Sequence, residues 1–232
     1  MIAAAGSGAR LGGAVPKQFL PIAGVPLLLR ALRPFLAHPE VADVVAVLPR
    51  DDAGDPPPWL ATLVGERLRL TPGGTTRAES VAAGLAALGQ GCAIVLVHDG
   101  ARPFPVPEVI DAVIQAARSG VGATAAVPLS DTLKEAGLEP PPSSTPATPQ
   151  LVVSRTVPRD SLWRAQTPQG FPRAMLENAY AAAKLGGWTD EAELVERSGG
   201  RVVLIGDSVV NLKVTTADDL RLAEAVAQSV SP

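Results

Sequence analysis

Ile2-Ala3-Ala4-Ala5-Gly6-Ser7-Gly8-Ala9-Arg10, followed shortly by Pro16-Lys17-Gln18, decides how this chain folds. A short apolar run opens directly into a glycine turn. Small side chains let the backbone approach a ligand closely, and consecutive free N–H groups form an anion-binding nest. Arg10 and Lys17 place full positive charges beside it. The stretch reads as a strand that ends in a triphosphate cradle. The glycines alone would suit an ordinary β-to-α turn equally well. Two familiar glycine loops do not fit. The dinucleotide fingerprint needs a third glycine where this chain has Leu11. The P-loop needs Gly-Lys-Ser/Thr, whereas Lys17 follows Pro16.

Outward from that stretch, strand-like and helix-like segments alternate. Ile2–Ala5, Val44–Leu48, Ala93–Val97 and Val121–Val127 are short apolar runs, typical of parallel strands buried on both faces. Leu27–Leu36, Arg77–Leu88 and Val109–Ala117 have helical apolar spacing. The alternation predicts an α/β, Rossmann-like, mostly parallel sheet with helices on both faces. Ligands in such sheets bind at the carboxyl ends of the strands, where Gly6 and Asp99 both fall. Toward the C-terminus the spacing predicts helices over Arg173–Leu185, Glu191–Arg197 (capped by Asp190) and Ala217–Ala227, the last opened by Thr216. Val202–Ile205 and Leu212–Val214 read as strands.

Residues 131–157 break the pattern. Thr132–Glu135 and Leu151–Thr156 read as two antiparallel strands around a proline-rich tip that no helix or sheet interior would accept. The segment is expected to protrude as a β-arm, with a disordered surface loop as the alternative reading. A lone hairpin is marginal in water, so a partner subunit is expected to cover it.

Composition excludes several classes. A net charge of -3 without a basic tail argues against nucleic-acid binding. No run reaches the length of a membrane helix, and no secretory signal is evident. The single cysteine, Cys92, rules out an internal disulfide framework and fits a reducing, cytoplasmic setting. Cys92 opens an apolar run and is expected in the core.

Four further stretches carry chemistry. Asp99, in His98-Asp99-Gly100-Ala101-Arg102-Pro103, can hold a metal ion or accept from a sugar hydroxyl. Gly100 lets backbone approach a ligand, and Arg102 could orient Asp99; His98 reads as a packed neighbour. Gly73-Gly74-Thr75-Thr76-Arg77-Ala78-Glu79-Ser80 sets glycines against a helix N-terminus, which suits recognition of a flat polar base, with Thr76 as the cap. Lys213 stands on an otherwise apolar stretch, where its ammonium needs an anion, either a phosphate or a salt-bridge partner. Arg159 offers a planar fork to a phosphate, or forms a surface ion pair.

In order and spacing, these motifs resemble the sugar-phosphate cytidylyltransferases, specifically the 2-C-methyl-D-erythritol 4-phosphate cytidylyltransferase family of non-mevalonate isoprenoid synthesis. Asp131-Thr132-x-Lys134, Thr167-Pro168-Gln169, Thr189-Asp190-Glu191 and Lys213-Val214-Thr215 add to the likeness, which runs from about residue 2 to 226. The resemblance implies one nucleotidyltransferase domain over residues 1–232 with an arm at about 131–157. It implies that Ala4, Ala5 and Gly6 line base and ribose, that Ser7, Gly8 and Ala9 hold the triphosphate, and that Gly74, Thr75 and Ser80 read cytosine. Arg10 and Lys17 would stabilise the reacting phosphates, and Lys213 would position the attacking one. Asp99 would hold the substrate's hydroxyls and stand near Mg²⁺. Thr132 and Arg159 would belong to an arm that reaches a second subunit of a homodimer. Thr75 replaces a common aspartate, which leaves backbone groups to recognise the cytosine amino group. Gly100 replaces a common alanine, a change expected to be harmless. A ribitol 5-phosphate cytidylyltransferase and a non-catalytic nucleotide-binding regulator are the alternatives; Arg10, Lys17, Asp99 and Lys213, all present, argue against the regulator. The missing third glycine argues against a nicotinamide oxidoreductase, and failure to bind NAD would close the matter.

Overall fold

The computed structural model describes residues 1–6, 15–139, 150–183 and 187–229. Ser7, Gly8, Ala9 and Arg10 therefore lie outside the described residues, as do most of the proline-rich tip and residues 230–232. Contacts divide the chain into a larger unit, 1–126 with 166–232, and a smaller one, 127–165.

Strands in chain order are β1 (Ile2–Ala3), β2 (Pro21–Ile22), β3 (Val25–Pro26), β4 (Val44–Leu48), β5 (Leu68–Pro72), β6 (Ile94–Asp99), β7 (Gly122–Pro128), β8 (Leu133–Glu139), β9 (Gln150–Val157), β10 (Trp163–Pro172) and β11 (Val202–Gly206). Helices are α1 (Leu27–Ala37), α2 (Arg50–Gly54), α3 (Pro58–Ala61), α4 (Arg77–Ala87), α5 (Pro107–Arg118), α6 (Arg173–Ala182), α7 (Glu191–Arg197) and α8 (Ala217–Ser229).

The main sheet has the order β11-β7-β10-β6-β1-β4-β5. β1 pairs in parallel with β4 and β6, β4 with β5, and β11 with β7, while β10 runs antiparallel to β6. Successive strand side chains point to opposite faces, and the core shows it. Val44, Ala46 and Leu48 pack with Leu28 and Leu32 of α1 and Ile110 and Val113 of α5. Val45 and Val47 pack with Val81 and Leu85 of α4, Leu176 of α6 and Val195 of α7. Helices thus cover both faces, and each fully buried Leu or Val contributes about 1.5–3 kcal/mol of hydrophobic stabilisation.

Local chemistry starts the helices where the sequence predicts. The Thr76 hydroxyl accepts from the Glu79 N–H while the Glu79 carboxylate reaches back to the Thr76 N–H, a complete capping box on α4. The Asp190 side chain accepts from the Glu193 N–H at 2.9 Å and caps α7. The Thr216 hydroxyl accepts from the Asp219 N–H at the start of α8.

Several expectations need correction. Leu212–Val214 is not a strand. Its apolar residues pack instead on Ile22, Leu27 and Ala223, away from the sheet, and the Val214 N–H donates to the Ala101 carbonyl. Cys92 sits half-buried in a turn before β6, outside the core. The first strand is only Ile2–Ala3, although the Ala4 N–H still donates to the Val47 carbonyl. α6 ends at Ala182.

In the smaller unit β8 and β9 form an antiparallel pair, longer than the sequence suggests, with an irregularity between Glu135 and Ala136. Lys134 donates across it to the Thr156 hydroxyl at 2.7 Å. Leu138 and Leu151 pair directly and are 73% and 76% exposed; Val153, opposite Ala136, is 62% exposed. An apolar ladder of that size facing water is a surface in need of a cover.

Candidate active site

Register places the site. Ala3 pairs with Val47 on one side and with Asp99 on the other, so β1 and β6 end at the same level. There a cleft of about 500 Å³ opens. It is lined by Ala4, Ala5 and Gly6 after β1, Gly74–Arg77 after β5, Ser80 of α4, Asp99–Ala101 after β6, Lys17 and Gln18 of a single 3₁₀ turn, and Lys213 and Thr215. Most of the residues that the sequence nominates in the larger unit thus meet in one concavity.

Asp99 is its electrostatic centre. Lys213 Nζ lies 2.6 Å from Oδ2, Arg77 Nη2 3.5 Å from Oδ1 and Arg102 Nε 3.8 Å from Oδ2. Burial would raise the pKa of this carboxyl, but Lys213, Arg77 and Arg102 outweigh burial and hold it down to about 2. Asp99 is therefore an anion throughout the physiological range. Lys17, Arg77 and Lys213 against one carboxylate leave the described lining net positive, which suits a polyanion.

The loop after β5 is built by close approach. A Cβ on Gly73 would stand 2.4 Å from Ala5 Cβ and 2.7 Å from Ser80 Oγ, so only glycine lets this loop meet the end of β1. The Thr75 N–H and hydroxyl both donate to Glu79 Oε2, at 2.7 and 2.6 Å. Ser80 Oγ accepts from the Gly74 N–H and donates to the Thr76 carbonyl. The Thr75 and Ser80 side chains and the N–H groups of Gly74, Thr75 and Thr76 are thus committed to holding the loop, which leaves the Gly74 and Thr75 carbonyls as the backbone groups without a bond inside it. Gly100 is also tight, since a Cβ there would lie 2.7 Å from Ala4 Cβ. Exchange with alanine in this chain would make the strand ends shift.

Behind the cleft a polar lattice fixes the carriers. The Thr167 hydroxyl accepts from the Asp99 N–H, so its own hydrogen points to His98 Nδ1, at 3.0 Å each. The His98 proton then sits on Nε2 and donates to the Arg102 carbonyl. Burial lowers the His98 pKa to about 4, which keeps the ring neutral and makes it a brace, not a base. Arg102 does not line the cleft. It is buried, and its Nη1 donates to the Asn211 carbonyl at 2.7 Å. The Asn211 side chain donates to the Thr167 carbonyl and to Asp207 Oδ2. This lattice and the Val214–Ala101 hydrogen bond hold the segment that carries Lys213.

Arg77, Glu191, Thr167, Asn211 and Gln169 were not among the nominated site residues. Gln169 Nε2 donates to Asp190 Oδ2 and Thr124 Oγ1, and its Oε1 accepts from the Ala192 N–H. Their signal was polar side chains within otherwise apolar or motif-bearing stretches. Thr132 and Arg159 belong to the smaller unit, where both are exposed and Arg159 donates to the Ser130 carbonyl.

Against known proteins, the family model described as 2-C-methyl-D-erythritol 4-phosphate cytidylyltransferase (IspD) matches residues 1–229. A curated relative of that name from Pelotomaculum thermopropionicum is 40% identical, over 99% of this chain and 93% of its own. One from Streptomyces coelicolor is 44% identical, over 97% of this chain and 83% of its own. The crystal structure of the Thermus thermophilus protein of the same name superposes with a TM-score of 0.76 at 34% identity, covering 98% of this chain and 97% of that one.

Proposed function

The chain belongs to the 2-C-methyl-D-erythritol 4-phosphate cytidylyltransferase family, and from that premise we propose how its cleft performs the reaction. The enzyme joins CTP and 2-C-methyl-D-erythritol 4-phosphate to give 4-diphosphocytidyl-2-C-methyl-D-erythritol and pyrophosphate, in isoprenoid biosynthesis.

One observation carries the proposal: Lys213 and Asp99 are paired at 2.6 Å in a cationic cleft beside a glycine-built loop. The nucleophile is an oxygen of a phosphate monoester, whose second pKa of about 6 leaves it largely ionised at neutral pH. No general base is needed. The difficulty is to bring one anion onto another, which positioning and electrostatics solve. Lys213 exchanges Asp99 for the incoming phosphate and aims it at the α-phosphorus. One P–O bond forms there, the α–β bridging bond breaks, and pyrophosphate leaves with that electron pair. Lys17 and Arg10 neutralise the triphosphate, which Ser7, Gly8 and Ala9 cradle. Ala4, Ala5, Gly6 and the backbone of Gly74 and Thr75 hold the nucleoside, and Asp99, released from Lys213, takes hydroxyls of the polyol beside Gly100.

The donor set fits Mg²⁺. Among the described residues there is no group of three or more Asp, Glu, His or Cys side chains able to hold a metal ion. Asp99 is the cleft's lone carboxylate among them. Mg²⁺ is commonly held by one or two carboxylates together with substrate phosphates, so Asp99 would hold it, directly or through water. When bound, the ion supplies charge neutralisation on the phosphates.

A second copy of the chain is proposed to cover the Leu138, Leu151 and Val153 ladder, with Thr132 and Arg159 working at that interface. No helix among the described residues is long and apolar enough to cross a membrane. The lone cysteine supports a cytoplasmic setting. Pyrophosphate release with CTP, Mg²⁺ and the methylerythritol phosphate, beside a parallel tube with ribitol 5-phosphate, tests the assignment. Release only in the second tube would move the enzyme to another pathway.

A further inference from the structure

Arg77 lines the cleft, yet its guanidinium is bound to the protein's own carboxylates. It is the first residue of α4, directly after the capping Thr76. Its Nη1 and Nη2 donate to Oε1 and Oε2 of Glu191, each at 2.8 Å, and Nη2 also lies 3.5 Å from Asp99 Oδ1. Glu191 is fully buried at the first position of α7 and accepts from the Tyr180 hydroxyl at 3.1 Å. Burial works against a charge on Arg77, but Glu191 and Asp99 outweigh it and raise its pKa, so the guanidinium stays charged.

A guanidinium is a rigid planar fork. Seating both terminal nitrogens on Glu191 dictates where the remaining edge points, and that edge meets Asp99 Oδ1. Lys213 takes the other oxygen, Oδ2. The two carboxylate oxygens therefore have different neighbours: Oδ1 faces a fork fixed by a buried scaffold, and Oδ2 faces buried Arg102 Nε at 3.8 Å and, at 2.6 Å, the Lys213 side chain, which is 42% exposed and able to leave. We propose that Arg77, locked by Glu191, is a positioning residue that holds Asp99 by Oδ1 so that Oδ2 is presented to ligand when Lys213 moves away. The inference rests on the functional reading above and extends it to the Thr189-Asp190-Glu191 motif. Glu191 also acts by restraint: freed from it, Arg77 could turn its whole fork onto Asp99 and occupy both oxygens.

The competing account is that Arg77 merely neutralises a buried glutamate. Removing one partner of a buried pair leaves an uncompensated charge, so Arg77→Gln alone would not separate the two accounts. Two variants do. Arg77→Lys keeps the charge that Glu191 needs but has no fork. The double variant Arg77→Gln/Glu191→Gln removes both charges together. Both are assayed well below their melting midpoints, so that only folded enzyme is compared.

Partners that orient a ligand-holding group are worth roughly 10–100-fold in activity. The expected result is a kcat/KM for the polyol phosphate about tenfold or more below wild type in both variants, with the KM for CTP within about twofold. A loss under about threefold in either variant would overturn the proposal, because neutralisation alone would then suffice. So would a defect confined to the KM for CTP, which would assign Arg77 to the nucleotide. Wild-type protein that released no pyrophosphate would overturn the functional reading together with this inference. Active wild type with unimpaired variants would overturn this inference alone.

Discussion

Replacing Lys213 with alanine should cut turnover by orders of magnitude and leave the fold intact. The Lys213 side chain is 42% exposed but Asp99 is buried, so their 2.6 Å pair is worth somewhat more than an exposed one, on the order of 1–2 kcal/mol of stability. Asp99 is not orphaned by the change, since Arg77 remains 3.5 Å away and Arg102 3.8 Å. The segment stays in place as well, because Val214 is fully buried and its N–H donates to Ala101. For a chain of this length, 1 kcal/mol moves the melting midpoint by about 2–4 °C. Catalysis should respond far more. Loss of one preorganised donor to a developing charge costs roughly 10²–10³ in kcat, or about 2.7–4 kcal/mol. Calorimetry on the variant gives the first quantity, and continuous pyrophosphate release at saturating CTP and methylerythritol phosphate gives the second. A kcat within about threefold of wild type would refute the role given to Lys213. A midpoint lowered by more than about 10 °C would refute its independence from the scaffold.

Two other outcomes follow from the lattice and the loop. The folded-state pKa of His98 is about 4 against an ordinary 6.5, so below pH 6.5 the unfolded chain takes up a proton that the folded one refuses. Stability present above pH 6.5 is therefore lost as pH falls toward 4, by about 3 kcal/mol from this group. His98→Gln can make the same hydrogen bonds without titrating, and urea midpoints measured across that window should decline less steeply; an equal slope would exclude His98 as a cause. Thr75→Asp would set a second carboxylate where the Thr75 hydroxyl now donates to Glu79 at 2.6 Å. It should cost about 1 kcal/mol and raise the KM for CTP and UTP together, and unchanged stability with a lower KM for CTP would show that the loop accommodates the charge.

Much of the scaffold is legible in the sequence because the decisive interactions are local. β4 and β6 are apolar runs since both of their faces are covered. Thr76 and Asp190 announce helix starts because caps work over three or four residues. Lys213 stands out as a charge among apolar neighbours, and the anion it meets is Asp99. What escapes reading is what only tertiary structure brings together. Arg77 and Glu191 are 114 residues apart, and nothing local marks them as a pair. Leu212 and Val214 alternate as a strand would, but alternation reports burial of one side, and here the burying surface is α8 and the β2–β3 hairpin. β10 is not legible as a strand, because its buried Gln166, Thr167 and Gln169 break the apolar pattern to supply the lattice.

The chain leaves the main sheet after β7 and rejoins it as β10, and these two strands are immediate neighbours. At that junction the Leu129 N–H donates to the Leu162 carbonyl at 3.0 Å. Everything between is in effect a cassette on a closed stem. Doubling the length of such an excursion adds only about 0.6 kcal/mol of closure entropy, which the sheet need not compensate by changing a single strand. A change in the length or composition of that cassette, the Pro140-Pro141-Pro142 stretch included, therefore need not alter any strand of the main sheet.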